Sequence, residues 1–336
     1  MYKCYSKCIW SLYFTAFSRE LLRNSKEEFN RTFVKTYGKL YTQHAYIFIK
    51  MLTDLERYYS QGGVDLSKVF DVFFRKLYRK MFQVMHLQYT LNEQYLRCVD
   101  ENMDVVKPFG EVPKKLTIEV KRSLVATRTF TQALSNAADV VKIVMEIDAT
   151  DECTRSIMQM TYCPHCQGLP NLKPCSNYCL QVMRTCLSMH RELDSEWNNY
   201  VDALLLLSNR LETSFNIESV VNPIAIRISE AIMDFQENNS AISQRLYGFC
   251  GKPRIARREG KQRLTSLEQL KFARPQKRPQ PHTAAGTNID TLLEEVRLKI
   301  RGTKGFWKIL PQNLCKHSHF SRTTSKECWN GTNKVK

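Results

Sequence analysis

Residues 69–85 read VFDVFFRKLYRKMFQVM. Val69, Phe70, Phe73, Phe74, Leu77, Tyr78, Met81, Phe82 and Met85 recur at spacings of three and four. That period lines one face of a helix, with Arg75, Lys76, Arg79 and Lys80 opposite. Asp65 is placed to cap its N-terminus. Gly62-Gly63 ends the preceding helix, which the pattern puts at about Gln43–Tyr59. Helical spacing runs from Ser18 onward. A long helix is predicted from about Lys114 to Glu146, with Leu124, Phe130, Leu134 and Val141 inward, after a loop bracketed by Pro108 and Pro113. Two more follow at Asp194–Glu212 and Ile217–Leu246. Trp197, Tyr200, Val201, Leu204, Leu207 and Leu211 form the buried stripe of the first, and Ile228, Ile232, Phe235, Ile242 and Leu246 that of the second. Pro223 falls in the opening turns of the second, where proline is tolerated. A last helical face runs over Asn288–Leu310, through Leu292, Leu293, Val296, Ile300 and Trp307. Strand-type alternation is nowhere sustained. The fold class is all-α, an elongated multi-helix bundle.

The 336 residues suggest two domains or one elongated one, at about 150 residues per domain. A hydrophobic content of 43% supplies a core and excludes global disorder. Twelve glycines are too few for a turn-rich β fold or a dinucleotide-binding fold. The net charge is +17, but residues 252–336 carry +14 of it and the first 251 only +3. A nucleic-acid-binding domain would carry its charge on the folded part, so nucleic acid is not the expected partner. Residues 252–287 hold ten Lys and Arg and Pro253, Pro275, Pro279 and Pro281. They read as a linker, with a helical turn near Leu264–Phe272. No stretch reaches the roughly 18 apolar residues of a membrane span. Ile9–Phe17 follows Lys3 and Lys7 as an export signal would. It is short, contains Ser11 and Thr15, and lacks a small-x-small cleavage site.

Twelve cysteines occur, five of them between 163 and 186. Such density fits structural disulfides in an oxidising compartment or a metal site. A zinc set would draw on Cys163, Cys166, Cys175, Cys179 and Cys186 with His165 and His190. It would leave Cys98, Cys153, Cys250, Cys315 and Cys328 over, in what would be a cytosolic helical adaptor. A thiol-redox reading of Cys163-Pro-His-Cys166 lacks the βαβ setting of that chemistry. Cys175, Cys179 and Cys186 share one face of a helix starting near Ser176, so each can staple a different neighbour. Sequons at Asn30-Arg-Thr32, Asn238-Asn-Ser240 and Asn330-Gly-Thr332 lean toward the secretory route. Arg254-Ile-Ala-Arg257-Arg258 suits a trypsin-like or furin-like processing protease. Nothing resembles a hydrolase triad, a P-loop or paired catalytic carboxylates. His44, His86, His190 and His282 have no spacing partners. No enzyme and no cofactor is expected.

Read in full, the cysteine region is Tyr162–Leu169 (YCPHCQGL), Lys173–Cys179 (KPCSNYC), Val182–Cys186 (VMRTC) and Leu193–Trp197 (LDSEW). This resembles the signature of the glypican family. The resemblance continues through Phe33–Gly38, Lys107–Gly110, Phe215–Val220, Ile228–Ile232, Thr283–Thr287, Phe306-Trp307 and Cys328–Gly331, and covers about residues 18–332. Within the family it is most similar to the branch with vertebrate glypicans four and six and the insect Dally-like protein. It implies an extracellular, all-helical, disulfide-stapled core of a heparan sulfate proteoglycan, held at the plasma membrane by a GPI anchor. Such cores bind secreted morphogens and growth factors of the Wnt, Hedgehog, BMP and FGF classes and regulate their signalling. The family's disulfide scheme, carried over by position, pairs Cys98 with Cys250, Cys153 with Cys186, Cys175 with Cys328 and Cys179 with Cys315. The family also carries a processing site in the linker, which favours cleavage after Arg257.

The chain departs from the family at both ends. Residues 1–17 do not match its cysteine-rich N-terminal segment, which partners the cysteines matching Cys163 and Cys166. Those two are therefore expected to be unpaired, and Cys4 and Cys8 have no assigned partner. No Ser-Gly dipeptide is present, and the chain stops before a GPI signal. As written, it is expected to lack heparan sulfate and anchor, and to be secreted or mis-targeted. The expected organisation is a non-matching segment at 1–17, a helical core at 18–251 with the cysteine cluster at 153–186, a linker at 252–287, and a closing helix and cysteine segment at 288–336.

Overall fold

The computed structural model describes residues 2–255, 288–316 and 327–335, with side chains from residue 11 onward. Described residues are overwhelmingly helical, as the spacing of residues 69–85 predicts. The linker expected at 252–287 lies almost wholly outside them, as does its helical turn.

Helix α1 spans Tyr2–Gln61 and is interrupted at Gly38, where φ is 51° and ψ −128°. A straight helix would separate residues 26 and 56 by about 45 Å at 1.5 Å per residue. Instead Lys26 Nζ lies 2.8 Å from Glu56 Oε2, and the Phe29 and Phe48 rings are 5.7 Å apart. Gly38 thus folds α1 into two antiparallel arms, in a backbone conformation that only a residue without a Cβ adopts cheaply. The helix expected at Gln43–Tyr59 is the middle of the second arm. Gly62 and Gly63, both at positive φ, close that arm.

Helix α2 (Leu66–Met85) starts where Asp65 Oδ1 accepts from the backbone N–H of Ser67 (2.9 Å) and Lys68 (3.3 Å). It buries Phe70, Phe73, Phe74, Leu77, Tyr78 and Phe82. Strand β1 (Tyr89–Thr90) and helices α3 (Glu93–Glu101), α4 (Met103–Val106) and α5 (Val112–Met145) follow. Next come α6 (Asp151–Thr161), α7 (Cys163–Cys166), α8 (Ser176–Cys186) and α9 (Ser188–Glu212). Helix α9 begins six residues before the expected Asp194. The helix expected over Ile217–Leu246 is three: α10 (Ile217–Val221), α11 (Ile224–Glu237) and α12 (Asn239–Cys250). Pro223, without an N–H, sits at the first break, and Asn238 at the second. Strand β2 (Arg254–Ile255) pairs antiparallel with β1. The face expected over Asn288–Leu310 divides into α13 (Ile289–Arg301) and α14 (Phe306–Lys316), separated by a turn through Gly302 and Gly305. Strands β3 (Cys328–Trp329) and β4 (Lys334–Val335) form a second antiparallel pair.

The chain divides into two compact units. One comprises Met1–Cys8, Gln132–Asn209 and Leu293–Lys336; the other comprises Ile9–Thr131 and Arg210–Leu292. The first packs Met160, Val182 and Met183 around Cys179 and Cys315, and Val141 and Val144 against Trp307. In the second an aromatic series runs from Phe33 through Phe48, Phe73, Phe74 and Phe109 to Phe235, with successive ring centroids 4.9–5.8 Å apart. Burying such rings is the main source of stability in a helical core.

Candidate functional site

The structure joins eight cysteines into four disulfides. Cys98 on α3 bonds Cys250 at the end of α12, with Cα atoms 5.9 Å apart. Beside it, Asn102 Nδ2 donates to the Cys98 carbonyl (2.8 Å), and the Tyr95 hydroxyl donates to the Gly251 carbonyl (3.0 Å). The other three lie in the other unit: Cys153–Cys186, Cys175–Cys328 and Cys179–Cys315, at Cα separations of 5.1, 4.9 and 5.9 Å. Cys175 is the residue before α8, Cys179 closes its first turn and Cys186 ends it, so one short helix distributes three bonds. The Cys328 segment is also held by its backbone. Cys175 N–H donates to Trp329 O (2.8 Å) and Trp329 N–H to Lys173 O (2.9 Å). The Trp329 indole, 1% exposed, donates to Gln159 O (3.2 Å).

These bonds take Cys175, Cys179 and Cys186 out of the zinc reading, since a sulfur in a disulfide is not the thiolate that zinc requires. Cys163 and Cys166 are free thiols at the two ends of the one-turn α7, the first half-buried and the second exposed. His165 lies between them. His190 is on α9, where its Nε2 meets Val144 O at 3.3 Å. The side chains of Cys4 and Cys8 lie outside the described residues.

The three sequon asparagines are all exposed. Asn30 lies inside α1, and its Oδ1 accepts from the Tyr41 hydroxyl (2.9 Å). Asn238 lies between α11 and α12, donating from Nδ2 to Asp234 O (2.9 Å). Asn330 is in the β3–β4 turn. Its Oδ1 accepts from Thr332 N–H (3.0 Å), the Thr332 hydroxyl (3.1 Å) and Asn333 N–H (2.8 Å). Arg254 is exposed on β2; Arg257 and Arg258 lie outside the described residues.

One site was not named from the sequence. A cavity of about 60 Å³ opens in the second unit, where both arms of α1 meet α2 and α11. Its wall includes Phe33, Tyr41, Phe48, Leu77, Met81 and Ile232, with His44, Lys80 and Gln236 also facing it. The Gly38 turn creates it by bringing Phe33 within 5.4 Å of Tyr41 and 5.1 Å of Phe48, ring to ring. Its phenols are neutral. Burial pushes Tyr37 and Tyr41 up to about 12, and the Tyr37 hydroxyl meets Ser229 Oγ at 2.6 Å. Burial, with Lys80 nearby, lowers His44, which favours its uncharged form. Apart from Lys80, whose Nζ is bonded to Gln83 Oε1 (3.0 Å), the wall is apolar and uncharged, suited to a hydrocarbon rather than an ion. The sequence signal was the density of aromatics on either side of Gly38. Their convergence became readable only once the turn was known.

A family model described as Glypican matches residues 11–336. Glypican-1 of Gallus gallus is 33% identical over 322 residues, covering 96% of this chain and 57% of the relative. Glypican-2 of Mus musculus is 33% identical over 327 residues, covering 95% and 56%. The Drosophila Dally-like protein core domain superposes with a TM-score of 0.76 at 37% identity, over 98% of this chain and 80% of that one. The full-length glypican-1 core protein superposes with a TM-score of 0.85 at 30% identity, over 99% and 72%. A further solved structure is Dally-like protein in complex with O-palmitoleoyl serine, with a TM-score of 0.73 at 37% identity, over 98% of this chain and 70% of that one. The chain spans a little over half the length of the curated relatives it matches. With this match over nearly its whole length and a shared helical architecture, the chain belongs to the glypican family, whose members are core proteins of heparan sulfate proteoglycans.

Proposed function

We propose that this chain is the ligand-binding core of a cell-surface heparan sulfate proteoglycan, and that it captures lipid-modified secreted signalling proteins through the cavity between the arms of α1. The predominantly apolar wall of that cavity carries the reading. O-palmitoleoyl serine, bound by the Dally-like protein, is an amino acid bearing a long acyl chain. It stands for an acylated residue of a protein. At about 60 Å³ the cavity is below the usual ligand-pocket range of about 300 Å³ and more. Entry of an acyl chain therefore requires α1 and α2 to part, and Met81 and Met85, unbranched and adaptable, line the side that gives.

The wider role follows the family. The core would bind factors of the Wnt, Hedgehog, BMP and FGF classes and regulate their signalling, with no catalytic step. The whole protein would carry heparan sulfate and sit on the extracellular face of the plasma membrane through a GPI anchor. The disulfides fit an oxidising compartment. N-glycans would lie at Asn30, Asn238 and Asn330, and proteolysis would fall in Arg254-Ile-Ala-Arg257-Arg258.

The test is binding of O-palmitoleoyl serine to the full chain secreted from cells, beside a Met81→Trp variant whose indole fills the cavity. Saturable binding by the parent, lost in a variant with unchanged melting temperature, supports the reading. Failure of the parent to bind, or equal binding by a folded variant, overturns it.

A further inference from the structure

We propose that the outer face of the first half of α5 is a docking surface for a sulfated glycosaminoglycan chain. Helix α5 directs Leu116, Val120, Leu124 and Phe130 into the core, each fully buried. Residues 114, 115, 118, 121, 122 and 125 fall on the other side at helical spacing, and all are exposed. Four of the six are Lys114, Lys115, Lys121 and Arg122. They lie within about 12 Å along the axis at 1.5 Å per residue, so their potentials sum over little more than a Debye length.

The neighbouring carboxylates are already taken. Glu119 pairs with Arg227 of α11. Glu111 is bonded to Lys107 (3.0 Å) and is held below the usual carboxylate range by that bond, with Lys107, Lys114 and Lys115 beside it. Asp65 is occupied capping α2. Lys121 bonds the neutral Ser67 hydroxyl (3.0 Å). Lys114, Lys115 and Arg122 have no ion-pair partner among the described residues, a cationic excess that calls for an anionic ligand from outside.

The ligand class follows from what else the face offers. Ile118 and Val125, 39% and 38% exposed, are its apolar members. A helix that enters a bilayer presents a broad apolar face; that of α5 is spent on the core. A flexible polyanion with repeated sulfates, lying along the cationic row, matches what remains. The choice of a glycosaminoglycan rests on the proteoglycan reading, since such a chain would be present on the same molecule.

The test is lysine acetylation of the full chain with and without a heparin dodecasaccharide, read by mass spectrometry. Lys114, Lys115 and Lys121 are expected to be protected. Replacing Lys114, Lys115, Lys121 and Arg122 by Gln should weaken binding about tenfold and reduce its salt dependence. A control with Arg19, Arg23, Lys35 and Lys39 replaced by Gln should stay within about twofold, these being exposed charges elsewhere on the same unit. Protection confined to lysines 261, 271 and 277 of the basic linker, or equal weakening by both variants, overturns the proposal. So does the absence of protection, the outcome if an acidic protein is the true partner. The acyl-serine assay reads the cavity alone, so failure there and failure here are told apart.

Discussion

His86 is 3% exposed at the end of α2, stacked on Phe82 at 4.1 Å between centroids. Its Nδ1 faces Phe82 O at 2.9 Å and its Nε2 faces Ser243 Oγ of α12 at 2.8 Å. Burial lowers its pKa below the usual 6.5, against a smaller opposing effect of the Phe82 carbonyl. Tyr89 lies beside it, with ring centroids 6.1 Å apart, and Tyr95 and Tyr247 pack against Phe82 and Tyr89; burial raises Tyr95, and Tyr247 to about 12, so neither ionises in the acid range. As pH falls through about 6.5, the unfolded chain takes up a proton that the folded chain refuses, and stability falls until the folded pKa is passed. Melting temperature should therefore drop more steeply below pH 6.5 in the parent than in His86→Gln; equal slopes would show that His86 is not linked to folding. Gly331 is a second sensitive residue. Its φ is 109°, and a Cβ there would lie 2.8 Å from the Tyr178 ring. Gly331→Ala should cost about 1–3 kcal/mol in thermal unfolding, and Tyr178→Ala should relieve the steric part of that cost. The sequence named neither role. His86 lacks a partner in sequence because Ser243 is 157 residues away, and Gly331 was legible only as part of the Cys-Trp-Asn-Gly resemblance.

At the scale of elements, periodicity located α2 and α5 to within two residues, because each keeps one continuous apolar face and has clear punctuation at its start. It failed where punctuation sits inside a continuing apolar pattern. Asn222-Pro223, Asn238 and Gly302–Gly305 interrupt helices without interrupting hydrophobic spacing, so three elements were read as one and two as one. The largest omission was the reversal at Gly38. Nothing lies within 4 Å of where a Cβ on Gly38 would be, so a side chain there meets no steric obstacle. The cost of Gly38→Ala is then purely that of the backbone at φ 51°, ψ −128°, about 1–3 kcal/mol. Because both arms line the cavity proposed to take an acyl chain, the variant should also bind O-palmitoleoyl serine more weakly, whereas Gly248→Ala, inside α12 with open space around it, should leave binding unchanged and stabilise by up to about 1 kcal/mol. A Gly38→Ala protein as stable as the parent would show that the turn tolerates a side chain.

For the molecule as a whole, two covalent ties decide how the chain behaves once cut. Cys175–Cys328 and Cys179–Cys315 each join a residue before 256–287 to one after it, whereas Cys98–Cys250 and Cys153–Cys186 close loops on one side only. Residue spacing left disulfide and zinc readings open, and only the family resemblance gave partners, because pairings across 136 and 153 residues leave no local trace. Cleavage after Arg257 should therefore leave both pieces migrating together at the position of the uncut chain in denaturant without reductant, and separating with it. Either bond suffices, since each ties the closing segment independently. Cys175→Ser alone and Cys179→Ser alone should keep the pieces together, and only the double variant should release them before reduction. Release from either single variant would mean that one tie does not form, and release from the parent would mean that neither does.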